Sequence, residues 1–196
     1  MIFRTNKYYL LILLAAFIVG GCGNSSGNYE EIESSASSES TTTTTSSDST
    51  ASFVAVGGDG TILTSSDLTT WTSRTSGTSN SLNGVTFGKY SYVAVGDNGT
   101  TLTSPDGITW TSRTSGTTNS LNGVTYIGNN TFVAVGDNGT ILASPDGTTW
   151  TSRTSGTSND INNVTYSGSA FVAVGDNGTL LNSTDGTTWN DKTSGC

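Results

Sequence analysis

The chain has 196 residues, of which 32% are hydrophobic and only 11% are charged. Lys and Arg number 7 against 15 Asp and Glu, so the formal net charge is -8 and no basic stripe is present to bind nucleic acid. Histidine, the commonest general base and metal ligand, is absent, and the abundance of Gly, Ser and Thr is typical of an all-β protein.

Residues 1–21 have the pattern of a secretory signal peptide. Arg4 and Lys7 precede an apolar run over residues 8–19, which is too short to span a bilayer comfortably. The following Val19-Gly20-Gly21-Cys22 resembles the lipobox of bacterial lipoproteins. The resemblance implies that Cys22 is acylated and anchors the protein to a membrane of the cell envelope. The alternative is an ordinary cleaved signal peptide with an incidental cysteine.

Two further expectations depend on this lipoprotein resemblance. In Gram-negative lipoproteins the residue after the cysteine helps to sort between membranes, and Gly23 in place of Asp implies the outer membrane if the host has one. Acylation of Cys22 leaves Cys196 without an intrachain partner, as a free thiol or in an intermolecular bridge.

Residues 22–50 are rich in Ser and Thr, with Tyr29 and Ile32 as their only sizeable apolar side chains. Such a segment buries too little surface to offset the entropy of ordering, so the composition predicts a disordered tether. All the glutamates of the protein lie in this tether, at positions 30, 31, 33 and 39.

Residues 51–196 form four tandem repeats, near 53–91, 92–131, 132–170 and 171–196. The motif (F/Y)VAVG begins at Phe53, Tyr92, Phe132 and Phe171, so its copies are 39, 40 and 39 residues apart. A period near 40 that contains several short strands is typical of β-propellers.

Alternation and turn residues predict four antiparallel strands in each repeat. In the unit that covers residues 121–155 we expect strands at 121–126, 132–135, 140–143 and 148–153, and Asn138-Gly139 favours a type I′ hairpin turn between the middle two. The first repeat lacks the innermost strand, since the segment near 46–48 has no apolar face. The sequence therefore predicts an all-β fold of about four four-stranded blades, the first of them incomplete.

Three heptapeptides lie at the predicted turn between the third and fourth strands: SPDGITW at 104–110, SPDGTTW at 144–150 and STDGTTW at 183–189. They resemble the Asp-box of bacterial neuraminidase repeats and the repeats of photosystem II assembly-factor-like propellers. The first copy, SSDLTTW at 65–71, has Leu68 in place of the glycine.

The Asp-box resemblance implies structural roles, in which the aspartate accepts backbone hydrogen bonds within the turn and the tryptophan packs between blades. These residues are Asp67, Asp106, Asp146 and Asp185, with Trp71, Trp110, Trp150 and Trp189. Binding of Ca²⁺ is the alternative, but one carboxylate per turn supplies too few oxygen ligands. We expect no metal site and no cofactor.

A sialidase-like glycoside hydrolase is the enzymatic alternative. Sialidases resemble one another in a convergent arginine triad and a Tyr/Glu pair. Here Arg74, Arg113 and Arg153 occupy one repeat position, with Lys192 in the fourth copy, so we expect them to radiate outward from the outermost strands. Because no glutamate follows residue 39, the repeats hold no Tyr/Glu pair, and we expect no catalytic residue.

A binding or assembly module is the function that we expect, with a protein or a glycan as partner. The candidate contacts are the polar loops 76–83, 115–122 and 155–162, and a purely structural spacer remains the other possibility. Three arrangements of the blades also stay open: a closed four-bladed ring, a homodimer that completes an eight-bladed ring, and an open stack.

Overall fold

The computed structural model describes residues 51, 53–127 and 130–193. These residues form fifteen β-strands joined by turns and short 3-10 segments. The predicted signal peptide, the tether, Cys22 and Cys196 lie outside the described residues. In the part of the chain that the structure describes, no helix is long and apolar enough to cross a membrane.

The strands form one three-stranded and three four-stranded antiparallel sheets, each in sequence order. Blade 1 contains β1 (Phe53–Val56), β2 (Ile62–Ser65) and β3 (Thr72–Arg74); blade 2 contains β4 (Leu82–Gly88), β5 (Ser91–Gly96), β6 (Thr101–Ser104) and β7 (Thr111–Arg113). Blade 3 contains β8 (Leu121–Ile127), β9 (Thr131–Gly136), β10 (Thr140–Ser144) and β11 (Thr151–Arg153); blade 4 contains β12 (Ile161–Tyr166), β13 (Phe171–Gly175), β14 (Leu180–Ser183) and β15 (Asn190–Asp191). The all-β prediction with an incomplete first blade is confirmed.

The apolar motif (F/Y)VAV lies on the strand that neighbouring blades cover on both faces in blades 2 and 3. In β9, Phe132 and Ala134 pack in a core shared with blade 2, whereas Val133 and Val135 pack in a core shared with blade 4. All four side chains are fully buried. The strand therefore belongs to two hydrophobic cores at once.

Three such cores join consecutive blades, one for each of the junctions 1–2, 2–3 and 3–4. Among the described residues, no fourth core joins blade 4 to blade 1. Val174 of β13 is instead 45% exposed, although its counterparts Val95 and Val135 are buried. The described blades therefore form an open array, not the closed four-bladed ring that the sequence left open.

The outermost strand of the third repeat is shorter than predicted. We expected it to cover 148–153, but β11 begins at Thr151. The amides of Thr148 and Thr149 donate to Asp146 Oδ1 and so belong to the preceding turn. The other three strands of blade 3 differ from the expected bounds by a residue at one or both ends.

Candidate interaction surfaces

The turn between the third and fourth strands of each blade is organised by one serine and one aspartate. In blade 3, Ser144 Oγ accepts a hydrogen bond from the Gly147 amide at 2.8 Å and donates to Asp146 Oδ1 at 3.1 Å. Asp146 Oδ1 also accepts the amides of Thr148 and Thr149, at 2.8 and 2.9 Å. Asp67, Asp106 and Asp185 accept the equivalent amide bonds in their own turns.

These hydrogen bonds keep the aspartates ionised. Burial raises the pKa of Asp146, but the amides of Thr149 and Thr148 outweigh burial and hold the pKa at about 2. At Asp67 and Asp185 the amide bonds are the largest influence, and they hold the pKa well below its ordinary value. Each carboxylate is occupied by its own turn, an arrangement suited to holding the backbone.

The tryptophan that follows each turn is held by the same segment. Trp150 Nε1 donates to the carbonyl oxygen of Gly147 at 3.1 Å, and the other three tryptophans make the equivalent bond. Trp110, Trp150 and Trp189 pack against the cores at junctions 1–2, 2–3 and 3–4. Trp71 packs against none of these cores, because no described blade precedes its own.

The glycine of the turn lies against the preceding blade. A Cβ atom added to Gly147 (φ +75°) would lie 2.6 Å from Val93 Cγ2, and one added to Gly186 would lie 2.9 Å from Val133 Cγ2. Leu68 occupies the same position in blade 1, also at positive φ (65°), and is 41% exposed. A side chain is accommodated there because the described residues place no blade in front of it.

The predicted binding loops are tied to the neighbouring hairpins by their asparagines. Asn80 Nδ2 donates to Thr100 Oγ1 at 2.9 Å, and its Oδ1 accepts from Asn98 Nδ2 at 3.2 Å. Asn83 Nδ2 donates to Asp97 Oδ1 at 2.9 Å and to the Leu121 carbonyl of the next blade at 3.1 Å. These amides join loop to hairpin and blade to blade. The groups left for a ligand are mainly Ser, Thr and Gly.

The hairpins in contact with the loops have the predicted turn type. In the second repeat the Thr100 amide donates to the Asp97 carbonyl at 3.0 Å, which places Asn98 and Gly99 at the two central positions. Their φ angles are 54° and 67°, as a type I′ turn requires.

Two polar grooves lie beside the loops. The first, of about 720 Å³, lies between the loop at 77–80 and the segment 112–118, with Arg113 and Leu102 in its wall. The second, of about 680 Å³, lies between the segment 152–156 and β15, with Arg153, Trp189 and Lys192 in its wall. The grooves bring together a cation with hydroxyl and amide groups, which is chemistry suited to polar peptides or sugars.

The arginines do lie on the outermost strands, but the expectation that they radiate outward is wrong. Arg74 Nε donates to Thr64 Oγ1 at 2.8 Å, and Arg113 Nε donates to Thr103 Oγ1 at 2.9 Å. Each side chain thus lies back across its own blade. Nε of Arg153 is buried without a partner among the described residues, because the threonine position is Ala143 in blade 3.

No group of three or more Cys, Asp or Glu side chains that could hold a metal ion occurs in the described ranges. Asp160, which departs from the repeat, accepts the Asn138 amide at 2.8 Å and so joins a loop to a hairpin.

No protein-family model matches the chain, and no curated protein matches it. The solved structures similar to it include "YCF48 bound to D1 peptide", with 22% identity and a TM-score of 0.59, and "YCF48 from Cyanidioschyzon merolae", with 20% identity and a TM-score of 0.57. Each match covers 74% of this chain, and the chain spans about half the length of these structures, 50% and 52%. The likeness shows that the chain has the blades of a β-propeller.

Proposed function

We propose that this protein is a lipid-anchored bacterial envelope protein whose blades form a non-catalytic module for binding or assembling proteins. The single observation that carries the proposal is the likeness of the fold to YCF48, one structure of which holds a D1 peptide. Peptide binding is a property of that protein, and we extend to this chain only the use of the blades as a protein-binding surface.

The described surfaces support this assignment. The grooves beside the loops offer Arg113 and Arg153 among hydroxyls, on loops that the asparagines hold in place. Preorganised loops lose little entropy when a partner binds. The carboxylates of the repeated turns accept hydrogen bonds from their own backbone, which leaves them poorly placed for acid–base chemistry.

The sequence before the blades supports the anchor. The lipobox-like Val19-Gly20-Gly21-Cys22 would place the acyl chains at the start of the tether, with the first strand beginning at Phe53. A polar segment of about 30 residues separates the two, long enough for the blades to reach partners beyond the headgroups.

One experiment in the source cells tests both parts of the proposal. The full chain carries a photo-crosslinking residue at Thr118, an exposed residue of the first groove, with or without Cys22→Ser. We expect the chain with Cys22 to incorporate an alkyne-tagged fatty acid, to sediment with membranes and to crosslink to a specific protein. Cys22→Ser should lose the label and the sedimentation, whereas the control Cys196→Ser should keep both. An unlabelled parent chain would contradict the anchor, and hydrolysis of a sialoside would contradict the non-catalytic role.

A further inference from the structure

We propose that blade 1 binds an extended segment of another protein along the inner edge of β1. The segment would take the place that β4, β8 and β12 hold in the other blades. This inference rests on the proposed protein-binding function and specifies the partner as a β-strand of defined pattern. We call the place the inner slot of blade 1 and define it by Val54, Val56, Gly57 and Phe87.

The edge of β1 that faces the slot presents backbone groups to be paired. Among the described residues β1 pairs only with β2, whereas β5, β9 and β13 each pair on both sides. The Gly57 amide donates across the hairpin to the Thr61 carbonyl at 3.0 Å. Because amides alternate along a strand, those of Val56 and Val54 face the slot. An unpaired edge of this kind is a template for an added strand.

Gly57 has the space that an incoming strand needs. A Cβ atom added at Gly57 meets no atom of the described residues within 4 Å, and its φ of -169° is accessible to any residue. At the equivalent Gly96, Gly136 and Gly175, the added Cβ would lie 2.0–2.1 Å from the carbonyl oxygen of the residue before the inner strand. A glycine is therefore required at this position only when a strand fills the slot.

The side chain of Phe87 is exposed at the place where the added strand would cover it. Its ring is 51% exposed, whereas the equivalent Tyr126 and Tyr166 are half-buried. Tyr126 lies against Gly88 and Tyr166 packs in the core that contains Ile127, so each ring is covered by the inner strand of the preceding blade. Phe87 is the only one of the three for which the described residues supply no such strand.

The three filled slots specify what fits. Their strands begin LNGVTF, LNGVTY and INNVTY, with an aliphatic residue first and an aromatic residue sixth in all three, and glycine third in blades 2 and 3. A Cβ at Gly84 would already lie 3.4 Å from Gly123 Cα, which limits the third side chain. One repeat earlier the chain itself reads TTTSSDS at 43–49 and supplies no apolar side chain. The pattern favours a segment of another chain.

A whole blade from a second copy fits less well than a single strand. At junctions 2–3 and 3–4 the turn glycine lies against the preceding blade, and its added Cβ would lie within 2.9 Å of that blade. Leu68 projects a full side chain from this position in blade 1. The turn that contains Leu68 joins β2 to β3, whereas the slot lies along the free edge of β1, at the other side of the sheet. Leu68 therefore does not obstruct a lone strand.

The test uses the full chain in detergent and a fluorescent peptide with the sequence of residues 81–88, SLNGVTFG. We expect saturable binding by fluorescence anisotropy, and about tenfold or greater weakening in Gly57→Ala, because the new methyl group overlaps the strand. The melting temperature of Gly57→Ala should equal that of the parent, and the control Ser73→Ala, on the exposed outer strand, should bind normally.

Backbone pairing is tested with N-methylated peptides. In blade 2, Thr86 lies opposite Val93, whose amide faces β4, so Thr86 exchanges backbone hydrogen bonds with β5 and Val85 does not. N-methylation at the Thr86 position should weaken binding about tenfold or more, and at the Val85 position it should change binding little.

If the peptide does not bind, or binds the parent and Gly57→Ala equally, the proposal that the inner slot binds a strand is wrong. Gly57 is then a remnant of repeat duplication. If the crosslinks from Thr118 persist in that case, the protein-binding function stands without the slot. If neither peptide binding nor crosslinking from Thr118 is observed, the protein-binding function is rejected as well.

Discussion

A side-chain hydrogen bond between a threonine and an arginine recurs in blades 1 and 2, and other residues take the threonine position in blades 3 and 4. The threonines at 64 and 103 accept the Nε–H group of the arginine on the next strand. Blade 3 has Ala143 at this position, and Arg153 Nε is buried without an acceptor. A buried donor that loses its acceptor costs about 1–3 kcal/mol, so this site is one at which a substitution can add stability.

We predict that Ala143→Thr stabilises the protein. The new hydroxyl should accept from Arg153 Nε and raise the free energy of unfolding by about 1 kcal/mol, or the melting temperature by about 3 °C. The equivalent Thr64 and Thr103 are buried in blades 1 and 2, so the fold accommodates a threonine at this position. Ala143→Val is the control of matched shape. If valine stabilises the protein as much as threonine, the gain comes from packing and the missing hydrogen bond is irrelevant.

At the scale of the turn, the same position has opposite requirements in different blades. Gly147→Ala forces a Cβ into contact with Val93 at positive φ, and we expect the free energy of unfolding, measured by thermal unfolding, to fall by about 2–4 kcal/mol.

Leu68→Gly relieves backbone strain at a φ of 65° but gives the unfolded chain more freedom. We expect a change of less than about 1 kcal/mol, in the stabilising direction. A large loss in Leu68→Gly would mean that a partner element covers Leu68.

The strands and hairpins followed from local patterns in the sequence. Alternation placed β8 and β9, and Asn138-Gly139 specified a turn with two positive φ angles. The start of β11 was misplaced because the Asp146 carboxylate takes the amides of Thr148 and Thr149 out of the strand. Local pattern does not report a competition between a side chain and a strand for the same amides.

The candidate surfaces were only partly predictable. The polar loops were found from composition, but the hydrogen bonds that occupy Asn80 and Asn83 depend on hairpins about 15–20 residues away in sequence. The exposure of Phe87 depends on a strand that a neighbouring blade lacks, while its own repeat is ordinary. The sequence did contain one signal for the inner slot, because Gly57 is retained in a repeat that has no inner strand.

At the scale of the whole molecule, the blades differ in how many neighbours they have. Blades 2 and 3 contribute to two cores each, whereas blade 4 contributes only to the core at junction 3–4. Stability in a repeat array is close to a sum of repeat and junction contributions. A terminal blade with one junction should therefore open more easily than an inner blade with two.

Hydrogen exchange compares two identical strands in these two environments. The sequence FVAVG occurs at 132–136 in blade 3 and at 171–175 in blade 4, so the intrinsic exchange rates of the interior amides are closely matched. Val133 and Val135 are fully buried, but Val172 is half-buried and Val174 is 45% exposed. We expect exchange in the blade 4 copy to be about tenfold or more faster, since loss of one packed face lowers the opening free energy by at least about 1.4 kcal/mol. Mass spectrometry of the full chain in detergent measures both segments at once. Equal protection would mean that the free face of blade 4 is covered in solution, and would contradict the open array.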